Sequence, residues 1–308
     1  MSSIKKVALA GAGGLMGSAI LTALLQSDFD VTVLTRQDST STFPPSVTVV
    51  RVDYASKPSL VSALRGQHAV VSALTHLALE TSERHLIDAA AEAGVARFVP
   101  SEFGSDDTNP KAAAFPLYAA KVAAHRHLEE AAAASPQFTW TSIVTGPLLG
   151  WVATQAFVQP KEKKAQLYDG GSRAFSVVTR DTIGRAVVAV LSHPGETANR
   201  VVKVHAAVVT LERVLGLVQK AVGGGDEAWT VTTPSVEETL ANAWAGVKAG
   251  KFDFATILGF IAAASQGSGY GGLLEGTDND MLGIPVMTDE EVQAYVEKVV
   301  ADDKPTAW

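Results

Sequence analysis

Residues 7–17 read VALAGAGGLMG, an apolar run that ends in glycines and passes into a helical pattern. Val7, Ala8, Leu9 and Ala10 have the unbroken apolarity of a strand buried on both faces of a parallel sheet. Gly11, Gly14 and Gly17 follow at three-residue spacing, and Ala19, Ile20, Ala23 and Leu24 then recur at helical spacing. Strand, glycine turn and helix place free backbone N–H groups at a helix N-terminus, where a pyrophosphate binds. The first glycine permits the tight turn. The second lets phosphates approach the backbone, and the third lets helix and strand pack closely. Glycines alone also make ordinary turns; a strand before and a helix after are the context that marks a dinucleotide-binding turn. Its candidate contacts are Gly11, Gly13, Gly14, Leu15, Met16 and Gly17.

Outward from this turn, strands and helices alternate. Strands are expected at residues 30–36, 47–52, 69–74, 97–100 and 139–144, and helices at 59–64, 84–93 and 118–134. This rhythm predicts an α/β fold, a doubly wound parallel sheet of the Rossmann type. Past Gly150 the rhythm loosens, and residues 151–175 are aromatic and mixed. A helix is expected from Thr179 to Leu191, a strand at 201–205, and helices at 211–222, 236–249, 251–264 and 288–300. Thr288 and Glu291 have capping-box spacing. The glycine-rich stretch 265–283 reads as a mobile loop near the site, since it lacks the strand and helix of a second phosphate cradle. The expected organisation is a dinucleotide-binding domain over 1–150. A smaller, interleaved substrate lobe covers 151–308, with segments around 176–210 returning to the sheet.

Composition bounds the rest. The chain has 308 residues, 47% hydrophobic and 19% charged, enough for one elaborated domain or two interleaved lobes. Absence of cysteine excludes disulfides, thiolate metal sites and cysteine nucleophiles. Net charge is −7 with no long basic run, which argues against a nucleic-acid groove. The histidines are scattered. His125 and His127 point apart on a helix, so no metal site is expected. No apolar stretch reaches spanning length, and the opening MSSIKK leads directly into the first strand. The expectation is a soluble cytoplasmic protein acting on a small molecule, without nucleic-acid or membrane partners. Oligomeric state stays open, a homodimer being one option.

The end of the second strand discriminates between nicotinamide cofactors. An NAD site usually carries an acid there for the ribose 2′-hydroxyl. This chain has Thr35-Arg36-Gln37 instead. A guanidinium fits a 2′-phosphate by a forked, charge-assisted contact, so Arg36 argues for NADP(H). Asp38, two residues beyond Arg36, is expected to point to solvent. Further cofactor candidates lie at strand ends: Asp53, Ala73, Leu74, Thr145, Gly146 and Pro147.

Residues 97–104 read RFVPSEFG, which puts Ser101 and Glu102 at the carboxyl end of the fifth strand. Tyr118 and Lys121 follow, three apart on an expected helix face. Here the chain resembles the isoflavone reductase-like and NmrA-like branch of the atypical short-chain dehydrogenases. The resemblance rests on the glycine motif, Thr35-Arg36, residues 98–104, Lys121, Gly146-Pro147 and, as in fungal members, residues 278–283 (DNDMLG). It implies an NADPH-binding domain with a substrate lobe. It also implies that Lys121 binds the nicotinamide ribose and serves in acid–base chemistry. The usual Tyr-x-x-x-Lys pattern is one residue short here, which leaves Tyr118 as a catalytic or a pocket-lining residue. Glu102 could orient Lys121 or act as a second acid–base group; capping or a structural ion pair is the alternative. His76, Phe103, Trp151, Phe157 and Phe175 are the candidate substrate residues, with core packing the rival reading for the aromatic ones. The expected function is NADPH-dependent reduction of an aromatic or polycyclic metabolite at a ketone or conjugated alkene. Two alternatives remain: an NADP-dependent isomerase using Glu102 and Lys121, and a dinucleotide-sensing regulator without turnover.

Overall fold

A computed structural model describes residues 3–75, 78–223 and 228–302 of the chain. The glycine-ended run becomes β1 (Lys6–Ala10), and the helical pattern after it becomes α1 (Leu15–Leu25). Next come β2 (Asp30–Arg36), β3 (Thr48–Val52), α2 (Lys57–Leu64), β4 (Ala69–Ser72) and α3 (Arg84–Glu92). They are followed by β5 (Arg97–Val99), α4 (Ala119–Ala134) and β6 (Thr139–Val144). The second half supplies β7 (Val158–Gln159), β8 (Lys164–Gln166), β9 (Phe175–Val177), α5 (Arg180–Ser192) and β10 (Arg200–Lys203). It ends with β11 (Ala207–Val209), α6 (Leu211–Ala221), β12 (Thr230–Thr232), α7 (Val236–Lys248), α8 (Phe254–Gln266) and α9 (Asp289–Asp302).

Seven strands form one parallel sheet in the order β10-β6-β5-β4-β1-β2-β3. The order reverses between β1 and β4, where ligands bind in sheets of this kind. Alternate residues of β1 feed two cores. Val7 and Leu9 pack with Ile20 and Leu24 of α1 and with Ile183 and Val187 of α5. Ala8 and Ala10 pack with Leu60 of α2, Leu86 of α3 and Leu128 of α4. Each large apolar side chain buried this way is worth about 1.5–3 kcal/mol. Helix α5 approaches α1 so closely that a Cβ on Gly184 would lie 2.8 Å from the Ala23 Cβ. Residues 180–203 therefore return to the seven-stranded sheet and its helix layer, although they follow β7, β8 and β9 in the chain.

Arg97 is buried at 1% exposure and fastens this side of the sheet. Its Nε donates to Thr139 Oγ1 at 2.9 Å, and its Nη1 donates to Thr141 Oγ1 and Thr197 Oγ1, both at 2.9 Å. Nη2 reaches the Pro194 carbonyl at 2.6 Å, so one side chain joins β5, β6 and the turn after α5.

The second lobe has its own core, which includes Phe115, Trp151, Phe157, Phe175, Val214 and Phe260. Its small sheets, β12-β8-β7 and β11-β9, account for much of the stretch that lacked a sequence rhythm. Strands of two or three residues are too short for alternation to register. The glycine-rich stretch is fastened rather than loose. Gly272 O accepts from Ser176 N at 2.9 Å, Leu274 N donates to Ser176 Oγ at 3.0 Å, and Asn109 Nδ2 donates to Gly269 O at 3.1 Å. Beyond it, Asp278 and Asn279 lock onto β10 and the turn after it. Asp278 accepts from Lys203 N at 2.9 Å, and Asn279 exchanges hydrogen bonds with His205 N and O at 3.1 and 2.9 Å. Thr288 and Glu291 make the expected reciprocal capping box, at 2.8 and 3.3 Å.

Candidate active site

The glycine turn sits at the reversal point of the sheet. Gly11 has φ +80°, and a Cβ there would lie 2.3 Å from the Ala73 carbonyl oxygen at the end of β4. A Cβ on Gly17 would lie 2.0 Å from Gly11 O, so α1 starts hard against the turn. Gly14 is the N-cap of α1, and Ser18 N makes the first helical hydrogen bond, to Gly14 O at 2.9 Å. The N–H groups of Leu15, Met16 and Gly17 precede that bond and face the positive end of the helix. This cradle fits a pyrophosphate.

Arg36 ends β2 with a side chain 75% exposed, and its Nε lies 3.8 Å from Asp38 Oδ1. Asp38 is solvent-facing, as expected, but it also holds the arginine in a loose surface pair. Arg51 fixes the loop after β2. Its Nη1 donates to the carbonyls of Arg36, Gln37 and Ser39 at 3.3, 2.7 and 3.1 Å. That loop returns to the glycine turn, where a Cβ on Gly13 would lie 2.8 Å from Ser41 Oγ. Thr35 lies beside Arg36 within β2. Asp53 shapes the turn into α2: its Oδ1 accepts from Ala55 N at 2.9 Å, and its own N–H donates to Ser59 Oγ at 3.1 Å.

The ends of β4, β5 and β6 are laced together. Ser101 Oγ donates to Leu74 O at 2.9 Å. Thr145 N and Gly146 N both donate to Gly104 O, at 2.9 and 2.8 Å. Gly146 has φ +73° and abuts the Ser176 carbonyl, and Pro147 O accepts from Val178 N at 3.0 Å. Into this corner α4 projects Lys121, whose ammonium donates to the Glu102 carbonyl. A Cβ on Gly104 would lie 3.5 Å from Lys121 Nζ, in ordinary contact, so the Gly104 backbone borders the ammonium. Lys121 is half-buried, not a surface lysine.

The Glu102 side chain is 4% exposed, and neither carboxylate oxygen has a hydrogen-bond partner. Burial pushes its carboxyl well above the usual range, and the nearby Asp107 pushes it further, while Lys121 pulls it back. Tyr118 ends a 3-10 turn that runs directly into α4 and is that helix's N-cap with helical backbone angles, three residues before Lys121. Its hydroxyl is buried beside Ser105, and burial drives its pKa upward. Glu83, not singled out from the sequence, is 1% exposed and accepts from Ser101 N at 2.8 Å.

The NmrA-like family profile matches residues 3–248. The chain belongs to the NmrA-like family. Oxidoreductase aprR of Aspergillus flavus is 34% identical to this NmrA-like protein over 303 residues, which is 95% of this chain and 99% of the relative. Bifunctional pinoresinol-lariciresinol reductase 2 of Linum usitatissimum is 28% identical over 77% of this chain and 76% of its own. Leucoanthocyanidin reductase of Vitis vinifera, solved as a binary complex with NADPH, shares the fold. Its TM-score is 0.75 at 17% identity, covering 96% of this chain and 99% of that one.

The expected substrate residues do not all gather near Lys121 in this NmrA-like protein. Phe157 and Phe175 are fully buried in the second-lobe core, with Trp151 6.5 Å from Phe157 between ring centroids. Core packing, the rival reading, is what these three do. Phe103 packs against the core shared by β1, α1 and α5. His76 lies outside the described residues. An aromatic wall that the sequence did not single out centres on Phe115. It stacks with Tyr118 at 6.3 Å and Tyr270 at 5.3 Å, and meets Phe260 at 5.0 Å. A cavity of about 550 Å³ opens nearby, lined by Asp106, Asn109, Arg173, Lys203 and the glycine-rich stretch. Among the described residues, no helix is long and apolar enough to cross a membrane.

Proposed function

We propose that this NmrA-like protein is an NADP(H)-dependent reductase of a small aromatic metabolite. The observation that carries the reading is Lys121, held on the Glu102 carbonyl where β4, β5 and β6 end beside the glycine cradle. The cradle, bare of side chains at Gly11 and Gly17, would hold the pyrophosphate, and Arg36 the 2′-phosphate. When bound, the reduced nicotinamide supplies hydride to a ketone or conjugated alkene. Lys121 delivers the proton that completes the reduction, from an ammonium whose position is set by its bond to a carbonyl. The half-buried Tyr270 ring, backed by the core residue Phe115, offers an aromatic edge beside the glycine-rich stretch, and the names of the plant relatives support an aromatic substrate class. The name of the fungal relative supports oxidoreductase chemistry without specifying a substrate.

The unpartnered Glu102 carboxylate favours a second reading, a rearrangement without net redox change in which Glu102 and Lys121 exchange protons with the substrate. One experiment separates the readings. Deuterated NADPH is incubated with the protein and aromatic enones or ketones, and product mass is measured. Reduction adds one deuterium and one hydrogen. A product isobaric with the substrate and free of label supports rearrangement. Absence of any product across the panel, with tight NADPH binding, supports a sensor.

A further inference from the structure

The cavity of about 550 Å³ is walled by donors that the chain itself leaves unused. Two acids and two cations line it. Asp106 is fully engaged: Oδ1 accepts from Thr108 Oγ1 at 2.5 Å, and Oδ2 accepts from Lys203 Nζ at 2.6 Å. Arg173 and Glu275 remain, and they form no ion pair with each other. Among the described residues, Arg173 has neither a hydrogen-bond partner nor a carboxylate to pair with.

The backbone of the glycine-rich stretch has the same imbalance. Three of its carbonyls are taken: Ser268 O by Lys111 Nζ at 3.4 Å, Gly269 O by Asn109 Nδ2 at 3.1 Å, and Gly272 O by Ser176 N at 2.9 Å. The N–H groups of Gly269, Gly271, Gly272 and Leu273, all residues of the cavity wall, have no acceptor among the described residues. Side chains cannot be added here to use them. Gly269 and Gly271 have φ of +81° and +80°, and a Cβ on Gly272 would lie 2.1 Å from Ser265 O. A wall whose acceptors are occupied and whose donors are free selects a ligand group rich in acceptors and negatively charged.

This wall adjoins the corner that holds Lys121. Asp106 lies two residues past Gly104, whose backbone borders the Lys121 ammonium. Gly272 is bonded to Ser176, and the Ser176 carbonyl oxygen would lie 2.4 Å from a Cβ on Gly146, at the end of β6. Tyr270 sits between the wall residues Gly269 and Gly271, so an aromatic ring and an anion site occur within one short stretch.

We propose that the cavity receives a carboxylate of the substrate, with Arg173 as its principal partner, so that the metabolite is an aromatic acid. The guanidinium fork matches two carboxylate oxygens, and the free N–H groups supply further donors. Arg173 selects and positions; it takes no part in hydride or proton transfer. The proposal deepens the reductase reading and rests on it for the reducible group, while the carboxylate site stands on the cavity alone.

The test uses two aromatic enones that differ in one group, chalcone and 4-carboxychalcone, at low ionic strength. Calorimetric titration of the protein holding NADP+ measures binding without turnover. The carboxylated enone should bind roughly tenfold more tightly, as one charge-assisted contact at an accessible site allows. Arg173→Gln should abolish that preference, leave the affinity for chalcone unchanged and leave the melting temperature unchanged, since Arg173 is exposed and unpaired. Initial rates with NADPH should show the same preference in KM, with kcat alike for the two enones. Equal affinities in the wild type, binding of neither enone, or a preference that survives in Arg173→Gln would overturn the proposal. Arg173-dependent binding with no oxidation of NADPH would leave the carboxylate site standing and refute the reductase reading. Reduction of both enones with equal KM would keep the reductase and remove the site.

Discussion

A side-chain carbon on Gly17 would lie 2.0 Å from the carbonyl oxygen of Gly11, closer than any real contact. The start of α1 and the turn after β1 therefore tolerate only glycine at this crossing. Gly14 is different, since a Cβ there would meet only Gly11 O, at 3.3 Å. Gly17→Val should lower stability by about 1–3 kcal/mol, the cost of forcing extra atoms into a packed site. Gly14→Ala should leave thermal unfolding close to wild type yet weaken NADPH binding, because its methyl group intrudes on the cradle. Calorimetric unfolding and cofactor titration of both variants check this. A Gly14→Ala protein with full affinity would move the phosphate site elsewhere.

Arg36 and Asp38 should have opposite effects on cofactor choice. Arg36→Ala is expected to cost NADPH about 1.5–3 kcal/mol of binding and to leave NADH nearly unaffected. Asp38→Asn frees the arginine from a surface pair of the kind worth under about 1 kcal/mol, so NADPH should bind slightly tighter. Equal affinities for the two cofactors in the wild type would contradict this assignment.

Lys121→Ala should reduce turnover by roughly 10²–10⁴-fold, the range for a positioned acid or base. Lys121→Arg should not restore it, since a guanidinium keeps its proton at working pH. NADPH affinity should fall much less, because the glycine cradle and Arg36 remain. Single-turnover rates at saturating NADPH are the measurement, and near-normal rates in the alanine variant would remove the acid–base role.

Glu83, Glu102 and Asp107 all have carboxyls raised in the folded state by burial. Such groups bind protons more tightly folded than unfolded. Their stabilising contribution is whole below about pH 4, where the unfolded chain titrates, and is lost as pH rises through the folded values. Glu102→Gln removes one of these ionisations. Its melting temperature relative to wild type should therefore climb between pH 5 and pH 8, while activity drops. A difference in melting temperature that stays flat with pH would show that Glu102 is not held neutral.

The legible parts of this chain were those written locally. β1, the glycine turn and α1 announce themselves within one stretch, because a doubly buried strand and a backbone crossing each restrict residue type at their own positions. The Thr288–Glu291 cap is equally local, and both of its hydrogen bonds form. Arg36 was put forward from its position at the end of the second strand, and Lys121 from the family resemblance. Phe115 and Tyr270 were not, since they lie far apart in the chain and meet only when the glycine-rich stretch folds back. Aromatic content put Trp151, Phe157 and Phe175 forward as substrate residues, with core packing the rival, and they lie in the core of the second half. Glu83 looks like any acid at the start of a helix until Ser101 is brought to it. Tyr118 sits at the N-cap of α4, in the turn that Pro116 opens, three residues before Lys121.

β10 is the outer strand of the seven-stranded sheet, and its free edge is covered by Asp278 and Asn279, more than seventy residues downstream. An uncovered edge strand is a template for pairing with another chain. β10 pairs with β6 on its other side, so the two residues from the late segment occupy the side that no strand takes. The last strand of the sheet is thus finished by a segment that lies outside the sheet altogether.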